Sequence, residues 1–184
     1  MVHKQKRIIL LLFVLIMIFL LQSVNVAAES GSGSLVYEGN DYAVELNYGR
    51  DANISENATL FATEIIEGSK EYQDLFSQAS EFMNLEVANG ISYARFFDIT
   101  ILDEGTEIEP DDCVKVSISY SKGIATTKEE DLGIVHFVEN GEKEFIEVDE
   151  KKEQGENVTK VSFEQDSFSV IGMIVFQGAD SEVK

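Results

Sequence analysis

The sequence predicts a mainly β protein, an antiparallel β-sandwich with one helix, on three observations. The stretch Ile91–Leu102 carries the longest alternation of apolar and polar residues in the chain, which is the pattern of a core strand. Turn residues such as Asn140-Gly141 recur at the spacing that separates short sandwich strands. Only Ser69–Leu85 places its apolar residues at helical spacing.

Two residues interrupt the alternation of the Ile91–Leu102 strand. Arg95 falls on the apolar face, where its stem can lie on the core while its guanidinium reaches a carboxylate. Phe96 falls on the polar face, which indicates that another element partly covers that side. The remaining apolar face is predicted to hold Ile91, Tyr93, Phe97, Ile99 and Ile101.

Residues 1–28 have the composition of a signal peptide. Three basic residues precede the apolar run Ile8–Leu21, and Val26-Ala27-Ala28 offers the small residues that signal peptidase reads. The alternative is an uncleaved anchor, although polar residues from Gln22 onward interrupt the run before the ~20 residues of a membrane span. We therefore expect a secreted or cell-surface protein, tethered to the membrane only if residues 1–28 are retained.

The rest of the chain is long enough for one domain with a hydrophobic core. We divide it into a Gly/Ser linker at 29–34, a β domain at 35–178 and a polar tail at 179–184. The net charge of −20 makes nucleic acid and anionic membranes poor partners and leaves cations, basic protein surfaces or no partner at all. The last is favoured, because acidity alone also keeps an exported protein soluble, and any protein or cell-surface partner is unidentified. Because Cys113 is the single cysteine, the chain forms no internal disulfide and depends on its core.

The first half of the domain is predicted to contain a hairpin, a strand and the helix. Leu35–Glu38 and Tyr42–Tyr48 flank turn residues at 39–41, and Thr59–Ile66 is the next strand. Ser69 stands at the N-cap position of the helix. The helix face expected to pack on the sheet consists of Tyr72, Leu75, Phe76, Ala79, Phe82 and Met83.

The second half is predicted to alternate strands and loops. Val114–Tyr120 is expected to pair with Ile91–Leu102 across the acidic turn between them. The strands of this half are Val114–Tyr120, Gly133–Val138, Lys143–Val148, Val158–Glu164 and Ser167–Phe176, with loops at 121–131 and 149–156. About nine strands and one helix indicate an antiparallel immunoglobulin-like β-sandwich with one amphipathic helix.

The acidic turn is the candidate metal site. Its carboxylates are Asp103, Glu104, Glu107, Glu109, Asp111 and Asp112. Calcium is the cation to consider, because it binds several oxygens on flexible loops. The spacing departs from the calcium-loop pattern, and Ile108 and Pro110 interrupt it, so a solvated turn is the favoured interpretation. No other cofactor is predicted.

No motif predicts catalysis. His136 is the single histidine after residue 28, and it lies in a predicted strand with no recognisable nucleophile motif around it. The chain has no Gly-rich phosphate loop and no His/Cys cluster. We therefore predict a protein that is not an enzyme, with no catalytic or cofactor-binding residues.

Five short segments carry a family resemblance: Ala94–Ile99, Glu107–Pro110, Val114–Val116, Val135–Phe137 and Asp166–Val170. As a set they resemble a β-rich extracellular module of Gram-positive surface proteins, associated with pilin-like domains of the SpaA and collagen-adhesin B type. The strand pattern with His136-Phe137 is also similar to ZU5 domains. Some ZU5 domains cut themselves after His-Phe with the serine that follows, and Val138 here lacks that nucleophile.

The resemblance implies a structural or adhesive role. The leading hypothesis is a non-enzymatic exported module at the bacterial cell surface. The alternative is a secreted binding protein for a cation or small ligand that uses residues 103–112.

Cleavage after Ala28 is the first testable prediction. The chain recovered from its host should begin at Glu29, because the short apolar run and the small residues before it suit signal peptidase. N-terminal sequencing measures this directly. Recovery of intact residues 1–28 on membrane-bound material would contradict it.

Overall fold

The computed structural model describes residues 31–84, 90–127, 130–138, 140–153 and 157–177. The predicted signal peptide and the polar tail at 179–184 lie outside these residues. The described elements, in chain order, are β1 (Gly33–Glu38), β2 (Tyr42–Tyr48), a 3-10 helix (Arg50–Ala52), β3 (Thr59–Glu64), α1 (Lys70–Phe82), β4 (Ile91–Asp103), β5 (Thr106–Ile108), β6 (Val114–Ala125), β7 (Glu130–Phe137), β8 (Lys143–Glu147), β9 (Asp149–Glu153), β10 (Asn157–Gln165) and β11 (Val170–Gln177).

The strands form two antiparallel sheets. One sheet has the order β1-β2-β6-β10-β9, and the other has the order β3-β4-β11-β7-β8 with β5 paired to β4. The main hydrophobic core lies between the sheets and draws residues from both. The predicted fold class, a mainly β antiparallel sandwich with one helix, is confirmed. No helix in the described ranges is long and apolar enough to cross a membrane.

Both predicted hairpins are present. β1 pairs with β2 around the turn at 39–41, and β7 pairs with β8 around Asn140-Gly141. The Asn140 side chain accepts a hydrogen bond from the Glu142 N–H at 2.8 Å, and Gly141 has a φ of +88°, which glycine adopts without a steric penalty. Local turn chemistry therefore sets the β7–β8 hairpin.

β4 is buried on both faces, as the position of Phe96 predicts. Phe97, Ile99 and Ile101 face the core between the sheets. Phe96 faces outward, is fully buried, and lies in a second hydrophobic cluster beneath α1. Gly172 of β11 stands opposite Phe96, and a Cβ atom there would lie 2.5 Å from the Phe96 ring. Glycine at 172 therefore leaves the space that this ring fills.

Helix α1 closes the second cluster. Ser69 caps the helix, since its Oγ accepts a hydrogen bond from the Tyr72 N–H at 3.1 Å. Ala79 is fully buried against the sheet. The other helix residues packed on this cluster are Tyr72, Leu75, Phe76 and Met83. Phe82 is predicted on the same face, and this is wrong: it is the last helical residue, is 42% exposed and does not belong to the cluster.

The predicted face of Ile91 is wrong, because β4 contains a β-bulge at this point. Val175 pairs with Tyr93 but the next residue, Phe176, pairs with Ile91, so β4 carries one extra residue here. An extra residue reverses the side on which side chains project. Ile91 therefore joins the cluster beneath α1 rather than the face that holds Phe97.

The predicted pairing of Val114–Tyr120 with β4 is wrong. Glu104 and Gly105 both have positive φ and form a tight turn, so the short strand β5 returns along β4 instead. Beyond Pro110 the Asp111 N–H donates to the Ala52 carbonyl in the 3-10 helix, and the chain then crosses to the other sheet. β6 then pairs with β2 and β10.

Three predicted loops and linkers are partly strand. β1 begins at Gly33, inside the predicted linker. β6 ends at Ala125 and β7 begins at Glu130, so both extend into the predicted loop 121–131. β9 occupies 149–153 of the predicted loop 149–156. Each of these segments pairs through its backbone, which does not require an apolar side-chain pattern. Hydrophobic periodicity therefore underestimates strands at the sheet margins.

Substitutions at Phe96 and Phe82 compare the stability contributed by the buried interface beneath α1 with that contributed by the exposed end of the helix. Phe96→Ala should lower the free energy of unfolding by ~3–5 kcal/mol, because it leaves a cavity beneath α1. Phe82→Ala should cost less than ~1 kcal/mol, because its ring already contacts water. Urea unfolding measures both, and equal losses would show that α1 does not pack as described.

Candidate functional site

The candidate site is a cleft of about 500 Å³ at one end of β4. It lies between the start of β4, the segment that follows β3, the first turns of α1 and the β1–β2 turn. Its lining residues are Asp41, Glu64, Glu67, Tyr72, Phe76 and the run Ile91–Arg95. We call it the acidic cleft.

The cleft exists because β3 is shorter than β4. The last paired residue of β3, Glu64, lies opposite Phe97, and the Ile65 N–H then donates to the Phe96 carbonyl at 2.8 Å. Residues 91–95 of β4 pair with β11 on one side. On their other side, none of the strands that the structure describes pairs with them.

Arg95 forms the floor of the acidic cleft. Its Nε and Nη2 donate to the two carboxylate oxygens of Glu64 at 2.7 and 2.6 Å, and Nη2 also donates to Asp41 at 3.0 Å. The side chain is 12% exposed, and its guanidinium lies 5.3 to 5.4 Å from the ring centres of Tyr42, Phe97 and Tyr120. The predicted arrangement, a stem on the core and a guanidinium on a carboxylate, is confirmed.

Arg95 keeps the positive charge that an arginine ordinarily carries. Burial alone lowers its pKa, but the hydrogen bonds to Glu64 and Asp41 raise the pKa by more, so it lies above its ordinary range. The guanidinium is thus a cation whose donors already serve two carboxylates.

The cleft as a whole is negative and aromatic. Three carboxylates, those of Asp41, Glu64 and Glu67, line it against the single guanidinium of Arg95. Asp41 is 53% exposed, and only its Oδ1 bonds to Arg95. Burial raises the pKa values of Tyr72 and Tyr93, so both phenols stay neutral near pH 7. Such a surface attracts cations and offers them ring faces.

The six carboxylates of the predicted calcium segment are not gathered at one centre. Asp103 accepts from Ser55 Oγ at 2.8 Å, Glu109 accepts from the Phe168 N–H at 2.7 Å, and Asp111 accepts from Asn53 Nδ2 at 3.0 Å. The other three, Glu104, Glu107 and Asp112, have exposed side chains. Across the described ranges, no group of three or more His, Cys, Asp or Glu residues could hold a metal ion.

His136 connects the two sheets. It is buried on β7, and its Nε2 lies 3.0 Å from Ser169 Oγ while its Nδ1 lies 2.9 Å from Gln165 Nε2 on β10. Ser169 donates its hydroxyl proton to the Phe137 carbonyl at 2.7 Å, so its oxygen accepts from His136 Nε2–H. His136 Nδ1 then accepts from the Gln165 amide.

Ser169, His136 and Glu144 stand in the order of a nucleophile, a base and an acid, with Glu144 3.4 Å from His136 Nδ1. A base must accept the serine proton, but His136 Nε2 already carries a proton in this hydrogen-bond pattern. The serine proton also points to a backbone carbonyl rather than to the imidazole. The array is built to join the sheets, and its geometry is not that of an activated serine.

Sequence reasoning found Arg95, Tyr72 and Phe76 but missed the acidic cleft. Asp41 and Glu64 lie 54 and 31 residues from Arg95 along the chain, so no local motif joins them. The one available signal was an arginine on an apolar strand face, which requires a carboxylate partner from elsewhere.

No protein-family model matches the chain, and no curated protein and no solved structure matches it either.

Replacing Arg95 tests how far the cleft depends on this ion pair. Arg95→Met should lower the free energy of unfolding by about 2–3 kcal/mol, because Glu64 and Asp41 then repel each other beside the core. The matched control is Lys160→Met, whose partner Glu45 lies 3.6 Å away, with the two side chains 37% and 40% exposed. The control should change stability by less than ~0.5 kcal/mol. Equal effects in urea unfolding would contradict the structural role of Arg95.

Proposed function

We propose that this chain is a non-enzymatic, exported module that serves a structural or adhesive role at a bacterial cell surface. The observation that carries the proposal is the acidic cleft, a concave site whose polar groups are held in place by hydrogen bonds. Its arginine is held by Glu64 and Asp41, and Tyr72 donates its hydroxyl to the Ala94 carbonyl at 3.2 Å. Such a site can hold a partner without further rearrangement.

The hydrogen bonds of His136 support the non-enzymatic part of the proposal. A catalytic base needs a free nitrogen lone pair directed at a nucleophile. Here one ring nitrogen donates to Ser169 and the other accepts from Gln165, and these hydrogen bonds connect the two sheets.

Sequence features support the location. Residues 1–28 read as a signal peptide, and the net charge of −20 suits an exported, soluble protein. The resemblance to a module of Gram-positive surface proteins favours the bacterial cell surface and an adhesive or structural role there.

Fractionation of host cells tests the proposal. We expect the chain on the outer surface or in the medium, digested by protease added to intact cells. A variant that lacks residues 2–28 is the control and should stay inside, protected from protease. Recovery of the wild-type chain in the cytoplasm would contradict the proposal, as would a hydrolase activity of the purified protein that His136→Ala abolishes.

A further inference from the structure

We infer that the acidic cleft binds a lysine or arginine side chain carried on an extended segment of a partner protein. This inference rests on the proposed adhesive function and names the chemistry of the partner. Three features of the cleft carry it: its charge, its ring surfaces and the open edge of β4.

The charge of the cleft selects a cation. Three carboxylates face one guanidinium, and that guanidinium already donates to Glu64 and Asp41. An anionic ligand would compete with two carboxylates for Arg95 and meet a third at Glu67. A cationic group instead meets the exposed carboxylates of Asp41 and Glu67.

The walls of the cleft suit a long basic side chain. Tyr72 and Phe76 stack with ring centres 6.2 Å apart, and Tyr93 leaves part of its ring exposed. Lysine and arginine lay their methylene stems on apolar surface of this kind while the charged end reaches a carboxylate. The volume of about 500 Å³ lies within the range of ligand sites and exceeds what one side chain needs, which leaves room for its backbone.

The edge of β4 offers that backbone a partner. The Tyr72 hydroxyl reaches the Ala94 carbonyl from the cleft side, just as the Ile65 N–H reaches the Phe96 carbonyl. Because the N–H and C=O of one strand residue point to the same side, the Ala94 N–H also faces the cleft. An extended segment lying here would continue the line of β3 and add a main-chain hydrogen bond, which is the geometry of strand addition.

Peptide titration of the intact protein tests the inference. The probe is a fluorescently labelled octapeptide of alternating lysine and threonine, with its glutamate–threonine counterpart as the charge control. The lysine peptide should bind and the glutamate peptide should not, and added salt should weaken the binding. N-acetyl-lysine methylamide, which carries the side chain without an extended backbone, should bind at least tenfold more weakly than the lysine peptide.

Two matched variants localise the binding. Glu67→Gln removes an exposed carboxylate of the cleft and should weaken peptide binding by about 3- to 10-fold. Glu81→Gln removes an exposed carboxylate of α1 that does not line the cleft, and should leave binding unchanged. Because both side chains are exposed, both variants should keep the unfolding midpoint of the wild type.

Three results would overturn the inference. The first is that the lysine peptide does not bind at millimolar concentration. The second is that Glu67→Gln and Glu81→Gln lose peptide affinity equally. The third is that N-acetyl-lysine methylamide binds as tightly as the peptide. If any of these results were obtained while the chain was still found on the cell surface, the inferred basic partner would be wrong and the proposed surface module would be unaffected. A cytoplasmic chain would remove the proposed function itself.

Discussion

Phe96 and Phe97 are neighbours in β4, both are fully buried, and they lie in two different cores. Phe97 packs between the sheets, and Phe96 packs beneath α1 on the outer face of the same strand. Burying a phenylalanine contributes ~1.5–3 kcal/mol, so neither face of β4 can be left open without a large loss. This double burial requires a helix over the sheet, and it requires Gly172 on β11 to leave space for the Phe96 ring.

The acidic cleft forms at the end of β4 where β3 and helix α1 no longer cover the strand. β3 leaves the sheet opposite Phe97, and the helix covers Phe96, so the first residues of β4 reach the edge of both layers. Arg95 lies at this edge with its stem inside and its guanidinium on Glu64 and Asp41. The cleft is negative because Glu67 adds a third carboxylate against this one guanidinium. The site is therefore a consequence of how the sandwich ends at β4.

The parts of this fold that are set locally could be predicted from the sequence. The two hairpins depend on turn residues a few positions apart, α1 depends on its own period and on Ser69, and β4 depends on its alternation. The sequence of β4 also indicated the second core, because Phe96 interrupts the alternation of apolar and polar residues. Local chemistry decides each of these features.

The rest depends on contacts between distant parts of the chain. The partners of β6 could not be predicted because the turn at Glu104-Gly105 inserts β5 beside β4 and sends β6 to the other sheet. The bulge in β4 reverses the side of Ile91 without any mark in the apolar pattern. The cleft needs Asp41 and Glu64 to meet Arg95, and the bonds of His136 need Gln165 and Ser169, and none of these pairs shares a motif.

Hydrogen exchange of the native protein, followed residue by residue by NMR in deuterated water, tests the double burial of β4 most directly. The account predicts that the amides in the middle of β4 and β11 exchange only through global unfolding, and that the amides of α1 around Ala79 are protected to a similar degree. Rapid exchange of α1 with full protection of β4 would contradict it. In that case the helix would not hold Phe96 in a second core, and the acidic cleft would lose the wall that Tyr72 and Phe76 provide.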